Sequence, residues 1–128
     1  MQLSQSPRVA ATFDEANLLP SAGLVPVMRL ARLAGLESLV TRIVTVPGGA
    51  GGNAAAKVAS IVAGMVTGAD SIADMDGLRE GAVGKVLPGV KAPSTVGTFL
   101  RAFTFGHVRQ LGAVAAGFLW RWPGWCRC

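Results

Sequence analysis

The segment AAAKVASIVAGMVTG (Ala54–Gly68) is apolar on nearly every side when it is drawn as a helix, and Lys57 is its one charged residue. A helix without a polar face has to be buried on all sides. We therefore predict that this helix forms the centre of a helical bundle. Asn53 is of a type that caps helix N-termini, and Gly64 and Gly68 would allow a neighbouring helix to approach closely.

Two further helices are predicted before this segment. In Gly23–Ala34, apolar residues recur at helical spacing and would share one face: Leu24, Val27, Leu30 and Ala34. Gly35 is a residue type that commonly ends a helix. A second short helix, Leu36–Arg42, is expected to follow it.

Other segments give weaker indications of structure. Ser71 and Asp74 have the spacing of a capping box, which indicates another helix start. The segment GAVGKVLPGVKAP, residues 81–93, is rich in Gly and Pro and is expected to be a connector. Near the N-terminus, Arg8–Phe13 is predicted as one short strand.

The segment KAPSTVGTFLRAFTFGHVRQL (residues 91–111) indicates a helix, a turn and a second helix. Ser94 is expected to cap the first helix. Its apolar stripe has the spacing of an amphipathic helix: Val96, Phe99, Leu100 and Phe103. The residues that fall away from this stripe are Thr95, Thr98 and Arg101.

The second helix of the pair is expected to begin after Thr104. Its predicted apolar stripe consists of Val108, Leu111, Ala115 and Phe118, which leaves His107, Arg109 and Gln110 outside. The pair suggests a helix-turn-helix variant, although the connector before Ser94 is longer than the turn of the compact motif.

These patterns predict a mainly α-helical domain, a small bundle, over residues 1–119. Residues 120–128, WRWPGWCRC, hold all three Trp and both Cys of the chain. This abrupt change in composition favours a frameshifted tail. The alternative is an amphipathic tail that binds a membrane or nucleic acid.

Composition narrows the possible functions. The chain has 128 residues and a net charge of +5, which favours an anionic partner such as nucleic acid or a membrane surface. No secretory signal opens the sequence, and no run reaches the roughly 18 apolar residues of a membrane span. A cytoplasmic protein without membrane contact is therefore expected.

Candidate catalytic and metal sites are weak. Gly49–Ala54 matches a dinucleotide-binding fingerprint with Asp70 about 20 residues further on, but no strand precedes Asp70, so a flexible loop is favoured. Lys57 is not preceded by Gly, which excludes a phosphate-binding P-loop. His107 has no nucleophile or acid near it in the sequence. We predict no catalytic residue.

Two clusters remain as possible metal ligands. Asp70, Asp74 and Asp76 are better explained as caps of a helix N-terminus than as ligands. Cys126 and Cys128 provide two thiolates, fewer than a structural zinc site needs. We predict no metal site and no cofactor.

The basic residues give the clearest indication of function. Five Lys or Arg and one acid, Glu80, lie between Arg79 and Arg109. Such a surface neutralises phosphates and releases their counterions, so DNA binding is the favoured interpretation, and a solvated basic face is the alternative. The candidate DNA contacts are Lys91, Thr95, Thr98, Arg101, His107 and Arg109.

Several separate phrases match one family in order. ATFDEANLLPSAGLVPVMRLARLAGL, VPGGAGGNAAAKVASIVAGMVTGADSIADMDGLREG and LPGVKAPSTVGTFLRAFTFGHVRQL resemble the N-terminal part of insertion-sequence transposases with a DDE domain. The nearest resemblance is to the group-one kind, the IS-thirteen-eighty group. It covers about Arg8 to Phe118.

The resemblance implies a fragment that lacks the catalytic core. In that family, two Asp and a Glu on an RNase-H-like core hold two divalent metal ions such as Mg²⁺. That core follows the region present here, and none of Asp70, Asp74 and Asp76 matches its carboxylates. The expected function is therefore binding of double-stranded DNA at transposon ends, without enzymatic activity.

Two alternatives remain open. The chain could be a helical interaction module that pairs with a second copy, or with a full-length transposase, through the Gly64/Gly68 face. It could also be a remnant without function.

Overall fold

A computed structural model describes residues 21–79 and 81–121. Within these ranges the chain forms a mainly α-helical bundle, as predicted, and contains no strand. The predicted strand Arg8–Phe13 lies outside the described residues. The α-helices are α1 (Leu24–Leu33), α2 (Leu36–Ile43), α3 (Ala54–Val66), α4 (Gly81–Val86), α5 (Pro93–Arg101) and α6 (Phe105–Arg121). Two 3-10 helices, Gly49–Gly51 and Ala73–Leu78, lie before and after α3.

Helix α3 lies at the centre of the bundle, as its apolar sequence predicts, but it is not buried on all sides, since Met65 and Val66 are 70% and 51% exposed. It packs against α1, α2, α5 and the second 3-10 helix. The main core is formed by residues of α1, α2, α3, α5, α6 and the segment after α2, and it is built mostly from small side chains. Among the described residues, the largest fully buried side chains are those of Val40, Val96 and Phe99. Because the side chains are small, the helices can pack closely.

Helix α1 begins and ends near the predicted bounds but buries a different face. Leu24 and Ala31 are buried, whereas Val27 and Leu30 are 41% and 38% exposed. The predicted face was therefore wrong at those two positions. Helix α1 is apolar on more than one side, and the packing of α2 and α3 against it selects the side that contains Ala31.

The helices begin near the predicted positions, but the predicted capping hydrogen bonds are formed only in part. Asn53 precedes α3 in a left-handed conformation, φ 54°, but its side chain makes no capping hydrogen bond. The Ser71–Asp74 capping box is formed. The Ser71 amide and hydroxyl donate to the Asp74 carboxylate at 2.8 and 2.7 Å. It precedes a 3-10 helix rather than an α-helix.

The region predicted as a connector contains a helix. Helix α4 occupies its first half, and Val83 packs with Leu24 and Leu78 in a second small core. Ser94 was also predicted wrongly, since α5 already begins at Pro93 and Ala92 occupies the capping position. Proline suits the first helical position because its fixed φ matches the helix and its missing N–H has no partner there.

Helix α6 is rotated relative to the prediction. Val114 is buried, and Leu111 and Phe118 pack against the main core. Val108 and Ala115, which were assigned to the buried stripe, are exposed. The helix also continues to Arg121, two residues beyond the predicted domain boundary at residue 119. The rest of the predicted tail, residues 122–128, lies outside the described ranges.

Gly64, in α3, serves the chain's own packing. A Cβ atom on Gly64 would lie 3.1 Å from Cγ of Met75, so the second 3-10 helix covers this position. Gly68 follows the end of α3 with φ +84°, a conformation that glycine adopts without strain. Gly64 is thus not open to a partner chain, which corrects the proposed Gly64/Gly68 interface.

Candidate nucleic-acid interface

Helix α5 presents the polar face that the sequence predicts. Val96 and Phe99 are fully buried, and Thr95, Thr98 and Arg101 are exposed. The apolar spacing of α5 is unambiguous, because its other side carries only small and polar residues. The helix packs on α3 and on both 3-10 helices, which fixes the direction of the exposed face.

The exposed side chains of α5 are ordered by their own helix. The Thr98 hydroxyl donates to the Ser94 carbonyl at 2.9 Å. Nε of Arg101 donates to the Gly97 carbonyl at 3.1 Å, a bond that does not use the two terminal nitrogens of the guanidinium. Those nitrogens form the fork that matches the geometry of a phosphate group.

The start of α5 is attached to the buried helix α3. The Lys91 amide donates to the hydroxyl of Ser60 at 2.9 Å, and that hydroxyl donates to the Ala56 carbonyl at 2.7 Å. Ser60 is only 2% exposed. Lys91 is half-buried, just before α5 begins. No side-chain oxygen caps that end of the helix.

Helix α6 contributes Arg109, which is exposed. Gln110 and His107, predicted on the outside with it, instead face the extended segment that follows α2. The Thr45 amide donates to Oε1 of Gln110 at 3.0 Å, and Nε2 of Gln110 donates to the Thr45 hydroxyl at 2.9 Å. These bonds orient the first turns of α6 against α2.

His107 has both ring nitrogens engaged within the chain. The Thr104 amide lies 3.0 Å from Nδ1, and Nε2 lies 3.1 Å from the Thr45 carbonyl oxygen. An amide can only donate and a carbonyl can only accept, so the proton of the neutral imidazole is on Nε2. His107 therefore positions α6, a role different from the outward contact predicted for it.

The Thr45–Gln110–His107 contacts were not found in the sequence. They join residues that are 62 and 65 positions apart in the sequence. A sequence pattern also cannot distinguish a polar residue on the inner side of a helix from one on the exposed side. The sequence offers one signal for these contacts, which is that three polar side chains lie close together near the start of α6.

Lys57 is buried and has no carboxylate partner among residues 21–79 and 81–121. Its ammonium donates to the Ala50 carbonyl at 2.7 Å and lies 5.4 Å from the centre of the Phe99 ring. This charge holds the first 3-10 helix against α3. It is absent from the surface that an anionic partner would meet.

The acidic residues near α5 are locally engaged. The second 3-10 helix, which contacts α5, carries Asp74 and Asp76. The hydroxyl and amide of Ser71 hold the pKa of the Asp74 carboxyl below its usual value. Asp76 pairs with Arg79 at 3.2 Å. The Asp74 carboxylate therefore serves as a cap, as the sequence predicts, and the Asp76 carboxylate forms an ion pair.

Charge is unevenly distributed along the chain. All seven acidic residues precede Gly81, and six of the twelve basic residues follow it. Helices α5 and α6 therefore lie in a segment without any carboxylate. The net positive charge of this segment favours an anionic partner, although Asp74 and Asp76 lie on the second 3-10 helix, which contacts α5.

Two other kinds of site were searched in the described part of the chain. Residues 21–79 and 81–121 hold no group of three or more His, Cys, Asp and Glu side chains placed to bind a metal ion. Within the same ranges, none of the helices combines the length and the apolar character that crossing a membrane requires. No family model, curated protein or solved structure matches the chain.

Proposed function

We propose that the chain binds double-stranded DNA through α5 and the beginning of α6. The observation that carries this proposal is the exposed face of α5, where Thr95, Thr98 and Arg101 project from a segment without carboxylates. Lys91 and Arg109 extend the same segment on either side. His107 supports it indirectly, by orienting α6.

The chemistry of this face suits the DNA backbone. Arginine forks and threonine hydroxyls are common ligands of phosphate oxygens, and such contacts set the position of a protein on the duplex. The same side chains can reach base edges when a helix enters the major groove. Affinity from phosphate contacts falls with salt, because each contact releases a condensed counterion.

The sequence resemblance gives this binding a biological setting. The chain resembles the N-terminal part of IS-thirteen-eighty-group transposases, so we propose the ends of a transposon as the DNA that it binds. The proposal concerns DNA binding alone, because none of Asp70, Asp74 and Asp76 matches a carboxylate of the family core.

Fluorescence anisotropy tests the proposal directly. The full chain is titrated into a labelled duplex of the flanking inverted repeat and into a scrambled duplex, at about 50 and 200 mM salt. We expect tighter binding to the repeat and weaker binding to both at the higher salt. Absence of binding by a chain that circular dichroism shows to be helical would refute the proposal.

A matched pair of variants locates the interface. Arg101→Ala removes a charge from the exposed face of α5, and Arg29→Ala removes one from the exposed side of α1. We expect Arg101→Ala to reduce affinity about tenfold and the salt slope by about one. Arg29→Ala should have a much smaller effect. Equal effects would show that net charge, rather than the α5 face, determines binding.

A second candidate function is a helical interaction module. It is favoured by the large apolar side chains that α6 exposes, which a DNA contact does not require. Self-association in the absence of DNA would support this function.

A further inference from the structure

Helix α6 has two apolar sides, and only one of them packs against the bundle. The inner side, which includes Leu111, Val114 and Phe118, packs against the core. We define the outer stripe as the exposed residues that recur along the opposite side: Phe105, Val108, Gly112, Ala116 and Leu119. Phe105, Val108 and Leu119 are 79%, 56% and 50% exposed. The outer stripe is therefore an apolar surface on a long, well-anchored helix.

The outer stripe is symmetric in spacing about Gly112. Phe105 and Leu119 lie seven residues before and after it, and Val108 and Ala116 lie four residues before and after it. The large side chains are at the ends of the stripe, and the smallest residue is at its centre. A Cβ atom on Gly112 would have no other atom within 4 Å, so the centre is open to a close approach.

We propose that a second copy of this chain occupies the outer stripe, with the two α6 helices antiparallel and a two-fold axis at Gly112. In this arrangement Gly112 faces its own copy, where the helix backbones come closest. Phe105 of each copy packs against Leu119 of the other, and Val108 packs against Ala116. A two-fold interface needs a self-complementary surface, and the symmetric spacing provides one.

The charges of α6 favour the antiparallel direction. Arg109 and Arg121 are its basic residues, and the helix has no carboxylate to compensate them. A parallel pair would bring Arg109 beside Arg109 of the other copy and Arg121 beside Arg121. An antiparallel pair places Ala115 opposite Arg109 instead, so that like charges are kept apart along the helix axis.

The size of the outer stripe limits the strength of the dimer. A stable interface buries about 800 Å² on each partner, and the outer stripe provides three large side chains and two small residues. It is therefore smaller than that. We expect a dimer of the weak class, with a dissociation constant of about 1 μM or higher. Its formation does not depend on whether the chain binds DNA.

Sedimentation equilibrium of the full chain without DNA tests this interface. We expect a monomer–dimer equilibrium over about 1 to 500 μM. The variant Val108→Lys places a charge on the outer stripe. Its matched control, Ala113→Lys, adds the same charge to an exposed position of α6 outside the stripe. Both substitutions are at solvent-exposed helical positions, and circular dichroism checks that both variants keep their helices.

Val108→Lys should weaken dimerisation at least about tenfold, and Ala113→Lys by less than about twofold. A chain that remains monomeric throughout the concentration range would overturn the proposal. Equal weakening by both variants would also overturn it, because general repulsion would then explain the result.

Cysteine cross-linking tests the direction of the pair. Gly112→Cys and Phe105→Cys are compared in a chain that also carries Cys126→Ser and Cys128→Ser. A disulfide requires Cα atoms about 4.4 to 6.8 Å apart. The antiparallel arrangement predicts an oxidised dimer for Gly112→Cys only. Cross-linking through both positions would indicate a parallel pair and refute the arrangement, as would cross-linking through neither.

Discussion

The ammonium of Lys57 lies 5.4 Å from the centre of the Phe99 ring, and both residues are buried. A cation over an aromatic face is attracted by the negative potential of the ring, more strongly when water is excluded. The contact joins α3 to α5, and the bond from Lys57 to Ala50 adds the first 3-10 helix. One charge thereby connects three elements of the bundle.

This contact predicts a measurable coupling between the two residues. We expect Phe99→Leu to destabilise the chain less in a Lys57→Met background than in the wild type, because that background has no ammonium for the ring to stabilise. The coupling energy should be about 1 kcal/mol. Urea unfolding of the two single variants and the double variant measures it. Purely additive effects would show that the ring does not stabilise the ammonium.

The bonds between α6 and Thr45 predict a loss of stability in Gln110→Ala. This variant removes two hydrogen bonds, each worth about 0.5 to 1.5 kcal/mol. We expect the free energy of unfolding to fall by about 1 to 2 kcal/mol. Arg109→Ala, at the adjacent exposed position, serves as the control and should change it by less than about 0.5 kcal/mol. A control as destabilised as Gln110→Ala would contradict the role of the Thr45 contacts.

The capping box predicts a dependence of stability on pH. The Ser71 hydroxyl, and next its amide, lower the pKa of Asp74 below the ordinary 3.8. The carboxylate therefore stabilises the folded chain above pH 3.8, and this contribution disappears as the pH falls through the lowered folded-state pKa. Thermal unfolding should show that Asp74→Ala is destabilising at pH 6 but has progressively less effect below about pH 4.

Ser71→Ala provides the control for this pH dependence. It removes the hydroxyl donor that is the largest cause of the lowered pKa. The pKa of Asp74, followed by NMR titration, should therefore rise towards its ordinary value in this variant. An unchanged titration would mean that the hydroxyl does not stabilise the carboxylate.

The turn between α1 and α2 predicts a penalty for any side chain at Gly35. This residue has φ +89°, and a Cβ atom there would lie 2.8 Å from Nη1 of Arg121 and 3.1 Å from the Ser38 hydroxyl oxygen. Gly35→Ala should cost about 1 to 2 kcal/mol of stability in urea unfolding. Gly23→Ala, at φ −62° with open space around it, should cost nothing. Equal costs would contradict the explanation from backbone conformation.

The sequence predicts the helices well where one pattern is possible. The bounds of α2 differ from the prediction by one residue, and α5 buries the stripe that its spacing requires. Helix α1 differs because Val27 and Ala31 are both apolar, so periodicity alone cannot choose between their faces. Helix α4 was hidden by its glycines, since the packing of Val83 stabilises it despite a composition typical of a loop.

The candidate interface could likewise be predicted only in part. The exposed side of α5 follows from local spacing, which the sequence contains. The inward position of Gln110 and His107 depends on Thr45, more than 60 residues earlier in the chain. A hydrogen-bond partner so distant in the sequence produces no periodic pattern of apolar residues, because hydrogen bonding allows a polar residue to occupy an inward position.

The hydroxyl of Ser60 has a consequence for how this chain can evolve. It accepts a hydrogen bond from the Lys91 amide and so ties the segment just before α5 to the buried helix α3. A substitution at this one buried position would release that segment without altering any of the outward-facing threonines of α5. The exposed face of α5 can thus be affected through a residue that is itself buried.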